Sequence, residues 1–137
     1  VKANMVPTLK NVTLLWPNSE NLRENLESVI EKISMTKSVV VIDSLNGFFN
    51  ILKDDDAGML INSFIMMLAS SAKNTKSIIL VGSLSKLNEE NEFVLYSSGR
   101  HVIDNKHMEK IQLVESNGLL KINILNFDNS TKSSFST

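Results

Sequence analysis

The chain has 137 residues, a formal net charge of −1, 42% hydrophobic and 21% charged residues, the proportions of one ordinary globular domain rather than a disordered chain. It contains no cysteine, which excludes disulfides, thiolate metal sites and cysteine nucleophiles and accords with a reducing compartment. The near-zero charge supplies no basic field for nucleic acid, and no leader with a charged start and an apolar stretch opens the chain, so a cytoplasmic protein is expected.

Residues 1–10 carry no period and are read as an irregular lead-in. Val12-Thr13-Leu14-Leu15-Trp16, closed by Pro17, is a short apolar run that predicts a buried strand. Asn18, Ser19 and Asn21 offer side-chain oxygens for a helix start. Leu22, Leu26, Val29, Ile30 and Ile33 then follow with the spacing of an amphipathic helix, while Glu20, Arg23, Glu24, Glu27, Glu31 and Lys32 take the solvent arc.

Val39-Val40-Val41-Ile42 is β-branched throughout and runs into Asp43-Ser44. Such a run suits a parallel strand covered on both faces, because alternation is needed only where one face meets water. Asp54-Asp55-Asp56-Ala57-Gly58 leads into a helix from Met59 to Ala72, with Asp55 or Asp56 as its cap. That helix is apolar around much of its circumference, which predicts cover by another layer or subunit, yet it is too short and too interrupted to span a bilayer. Ile78-Ile79-Leu80-Val81 supplies the next apolar strand.

Two strand–helix–strand units in series, starting at Val12 and Val39, predict an open α/β sheet. Ser116-Asn117-Gly118 between Met108–Glu115 and Leu119–Leu125 marks an antiparallel hairpin, with Ile111, Leu113, Ile122 and Ile124 alternating as a half-buried pair does. Residues 126–137, rich in Ser and Asn, are read as a flexible tail beyond a single domain of residues 1–125.

Ligands of open α/β sheets bind outside the carboxyl ends of the strands. Asp43 and Ser44 stand at one such end and Ser83 at the next. A carboxylate there can hold magnesium beside nucleotide phosphates, although aspartates also follow strands simply to start turns and cap helices. The segment Ser38-Val-Val-Val-Ile-Asp43-Ser44-Leu45 resembles the Walker B strand of RecA-type ATPases, in particular the archaeal recombinase and KaiC-like branches. Ile78–Ser83 resembles the next strand of that core. Gly99-Arg100-His101-Val102-Ile103, followed by Ile111-Gln112-Leu113, is similar to the glycine-histidine segment before the recombinases' final hairpin.

The resemblance implies an open, mainly parallel RecA-like sheet flanked by helices, with a C-terminal antiparallel hairpin. It also implies self-assembly or pairing with a RecA-like ATPase. The phosphate loop Gly-x4-Gly-Lys-[Ser/Thr] that ATP hydrolysis requires is missing: Trp16-Pro17-Asn18-Ser19-Glu20-Asn21 holds neither glycine nor lysine, and Glu20 repels phosphate. Where the recombinases bind DNA, Leu84–Glu92 carries three glutamates against one lysine, so direct nucleic-acid contact is not expected. His101 and His107 match no common metal spacing. The expectation is a non-catalytic RecA-like assembly module, homo-oligomeric or partnered by an ATPase, away from membranes and with no cofactor. The competing expectation is a C-terminal part or degenerate version of a magnesium-ATP-dependent ATPase, in which Asp43 holds the metal and Ser44 and Ser83 line the nucleotide.

Overall fold

Two asparagines build the entry to the first helix. The Asn18 carboxamide oxygen accepts the backbone N–H groups of Glu20 and Asn21, and the Asn18 N–H donates to the Asn21 side chain at 2.8 Å. This local bonding competes with helix and so sets where it begins. Helix α1 then runs over Leu22–Met35 and buries Leu22, Leu26 and Ile33, spaced four and seven residues apart on one face. The computed structural model describes residues 11–52, 57–96, 100 and 108–136.

Strand β1 (Val39–Ile42), helix α2 (Leu45–Ile51), helix α3 (Ala57–Thr75) and strand β2 (Ile78–Val81) follow. Helix α3 buries Ala57, Ile61, Phe64, Ile65, Leu68 and Ala72 along one stripe and packs on α1. Phe48 of α2 meets Phe64 edge-on, with ring centroids 6.3 Å apart, a favoured aromatic geometry. The residues just before α3, including the caps expected of Asp55 and Asp56, lie outside the described residues.

Short strands β3 (Ser85–Leu87) and β4 (Phe93–Leu95) form an antiparallel hairpin. Strands β5 (Lys110–Ser116), β6 (Leu119–Leu125) and β7 (Thr131–Ser136) form an antiparallel sheet in that order. The β5–β6 turn places Asn117 and Gly118 at φ +53° and +74°, the left-handed pair that a two-residue hairpin turn demands.

The chain divides into two compact units. One holds residues up to 42 together with 47–80, and the other holds 43–46 together with 81 onward. The first has its core on α1 and α3, with Ile42 of β1 also buried; the second buries Leu45, Val94, Leu95 and Leu125.

The open, mainly parallel RecA-like sheet does not form. β1 and β2 pair side by side in the same direction, but their sheet stops at two strands, and the other strands described are antiparallel. Val12–Trp16, expected as a strand, adopts no regular structure and leaves Val12, Leu14, Leu15 and Trp16 exposed, so the first strand–helix–strand unit is missing. The β1–β2 sheet is also covered on one face only. Val40 and Ile79 are half-buried and Ile42 is buried, whereas Val39, Val41, Ile78 and Leu80 are 50–65% exposed. An unbroken aliphatic run does not distinguish a strand enclosed on both faces from one with a face left open. At the other end of the chain, residues 131–136, within the segment read as a tail, pair with β6 from Lys121↔Ser136 to Leu125↔Thr131.

Candidate functional site

Asp43 and Ser44 leave the carboxyl end of β1, joined by a cis peptide bond, and Ser83 lies beyond the carboxyl end of β2. Backbone and side-chain bonds tie the two segments together. The Leu45 N–H donates to the Gly82 carbonyl at 3.0 Å. The Asn46 carboxamide donates to the Leu84 carbonyl at 3.1 Å and accepts the Leu84 N–H at 2.8 Å. The three residues expected at a site are therefore held on neighbouring segments, with Asp43 and Ser83 exposed and Ser44 half-buried.

Ser83 also lines a cleft of about 620 Å³ in the second unit, bordered by Glu90, Glu92, Glu109, Asp128 and Lys110. Asp43 and Ser44 are not among its lining residues. The turn of the β3–β4 hairpin forms one wall, where the Asn88 side-chain oxygen accepts the N–H groups of Glu90 and Glu92 at 3.0 and 2.8 Å. Asn129, in the turn before β7, donates to the Asn91 carbonyl at 2.7 Å. The Lys110 ammonium donates to the Phe127 carbonyl at 2.7 Å and to the Asn129 side-chain oxygen, and stands 5.4 Å from the Phe127 ring centroid. The Ser130 hydroxyl and N–H, at 2.6 and 3.0 Å from the Asp128 carboxylate, hold its carboxyl below the usual range, because bonds donated to the charged form favour it. Asp128 is therefore ionised at neutral pH.

Of Asp43, Ser44 and Ser83, only Asp43 offers a carboxylate for magnesium beside a nucleotide. Magnesium beside phosphates takes one or two carboxylates and relies on the phosphates and water for its remaining ligands, and the phosphates in turn need backbone amides and a lysine to cradle them. Asp43 brings one carboxylate, and among the described residues no group of three or more His, Asp or Glu could hold a metal ion. The cleft beside Ser83 sets four carboxylates against one ammonium that is already bonded, a field that repels phosphate. His101, His107 and most of the Gly99–Ile103 segment lie outside the described residues.

The chemistry that the fold does display is apolar and lies on sheet faces. The register Ile111↔Ile124 and Leu113↔Ile122↔Phe135 puts five apolar side chains on one face of the three-stranded sheet. The opposite face carries Gln112, Asn123 and Ser134 in line, where Asn123 donates to Gln112 at 2.9 Å and accepts the Ser134 hydroxyl at 2.9 Å. The polar face is the inward one: Asn123 and Leu125 are buried, whereas Ile111, Leu113 and Phe135 are 60%, 65% and 56% exposed. The alternation of Ile111, Leu113, Ile122 and Ile124 was legible in the sequence, but the side on which that face ends up was not.

No helix among the described residues is long and apolar enough to cross a membrane. Compared with models of protein families, with curated proteins and with solved structures, the chain matches none.

Proposed function

We infer that this chain is a non-catalytic module that acts through protein–protein association. The observation that carries the reading is the open face of the β1–β2 sheet, where Val39, Val41, Ile78 and Leu80 are each half or more exposed. Scattered apolar side chains on a surface are ordinary, but contiguous patches mark contact sites. A two-stranded sheet is marginal alone, so covering its bare face stabilises the element as well as the contact.

Helix α3 adds to the case. Met59, Met66 and Met67 stay exposed on the side away from its buried stripe, and methionine is an adaptable contact residue at binding surfaces. The acidic cleft beside Ser83 weighs against a nucleotide there and leaves association as the reading the geometry supports best.

Multi-angle light scattering of the chain from about 5 to 100 μM tests it, a range in which contacts of modest size assemble. A dimer or larger species is the expected result. A clean monomer mass across the whole range overturns the reading.

A further inference from the structure

The dipeptide Asn-Gly occurs twice in the chain, at Asn46-Gly47 and at Asn117-Gly118. Its local chemistry is the same at both places. Glycine has no Cβ, so the backbone nitrogen that follows each asparagine is open to the asparagine's own carboxamide. Nothing stands within 4 Å of where a Cβ would lie on either glycine, so crowding does not separate the two sites. What separates them is how each carboxamide is held.

Asn46 is half-buried in helix α2. Its carboxamide donates to the Leu84 carbonyl and accepts the Leu84 N–H, and the helical backbone fixes the Gly47 nitrogen relative to it. Asn117 and Gly118 are exposed and form the two-residue turn between β5 and β6. Among the described residues, no hydrogen bond engages the Asn117 carboxamide, and the end of a hairpin opens locally at low cost.

We propose that Asn117 is a site of spontaneous succinimide formation and deamidation, and that the same dipeptide at Asn46 is protected by its bonds to Leu84. The Gly118 backbone nitrogen gives its proton to base in solution and attacks the Asn117 Cγ. A C–N bond forms, the Cγ–Nδ2 bond breaks, and the side-chain nitrogen leaves as ammonia after taking a proton from water. Water then opens the five-membered imide at one carbonyl or the other, leaving an aspartyl or an isoaspartyl residue. Nothing is oxidised or reduced, and water is the sole co-reactant. The proposal stands independently of the association reading.

The two products act differently on the hairpin. Asp-Gly suits the same two-residue turn as Asn-Gly, so the aspartyl product keeps the register Ser116↔Leu119 and adds a negative charge two positions from Glu115. The isoaspartyl product routes the main chain through Cβ, one atom longer. Turn geometry fixes hairpin register, so that product disturbs the pairing at this end of the sheet.

Peptide mapping by mass spectrometry tests the assignment. The chain is incubated folded in mildly alkaline buffer at body temperature and, in parallel, unfolded in guanidinium chloride. Unfolded, the two dipeptides are expected to convert at similar rates. Folded, the peptide carrying Asn117 is expected to gain the mass difference between a carboxamide and a carboxylic acid and to split into aspartyl and isoaspartyl forms. Its conversion is expected to outpace that at Asn46 by about ten-fold or more, the factor that two net hydrogen bonds imply. Conversion at Asn46 as fast as at Asn117 in the folded chain overturns the proposal. So does a folded chain still intact at Asn117 once the unfolded chain has converted.

Discussion

The Asn46 carboxamide pairs with both backbone polar groups of Leu84, donating to its carbonyl at 3.1 Å and accepting its N–H at 2.8 Å. One side chain thus does for an irregular segment what a neighbouring strand would do, satisfying a donor and an acceptor at once. Leu84 in turn accepts the Tyr96 N–H at 3.0 Å, so Asn46 holds the start of α2 to the base of the β3–β4 hairpin.

Replacing that side chain isolates its contribution. Asn46→Ala is expected to cost about 1–2 kcal/mol, the range for losing two hydrogen bonds with partial access to water. Urea unfolding gives the cost, and amide exchange locates it: the Leu84 N–H is expected to exchange faster while amides within α1 keep their rates.

Helix α3 offers a contrast between its two sides. Leu68 is fully buried and Met66 is exposed two positions earlier. Leu68→Ala is expected to destabilise the chain by about 2–5 kcal/mol through lost burial and a residual cavity. Met66→Ala is expected to change stability by less than about 0.5 kcal/mol, as surface substitutions do. Equal effects in denaturant unfolding would contradict the packing of α3 on α1.

The turn before β7 carries a pH dependence of known sign. Hydrogen bonds from the Ser130 hydroxyl, first, and its backbone N–H hold the Asp128 carboxyl below its ordinary value of 3.8. A depressed folded-state pKa contributes stability that is present above the unfolded value and is lost as pH falls through the folded one. Acidification from pH 5 toward 2 is therefore expected to loosen this turn, with no change between pH 5 and 8 from this group. Ser130→Ala is expected to move the Asp128 titration, followed by carboxyl-carbon NMR, up toward 3.8.

Magnesium-ATP titrated calorimetrically into the chain is expected to give no saturable heat at micromolar concentration. Saturable binding abolished by Asp43→Ala would contradict the charge argument drawn from the acidic cleft and restore Asp43 as a metal ligand.

What was legible in the linear order is what local physics controls. The spacing of Leu22, Leu26 and Ile33 gives α1, the β-branched run Val39–Ile42 gives β1, and Asn117-Gly118 gives the β5–β6 turn, because each depends on residues within a few positions of one another. The sequence reading did not foresee the β3–β4 hairpin, although Asn88 and Asn91, which shape its turn, flank two of the three glutamates that it weighed only against nucleic-acid contact. Val12–Trp16 has the composition of a strand but lacks one, since composition does not supply a neighbour to pair with. Which face of a sheet is covered is likewise decided by elements remote in the chain. The apolar rows of β1–β2 and β5–β7 look the same in sequence whether they meet a core, a partner or water, and only their tertiary surroundings turned them outward.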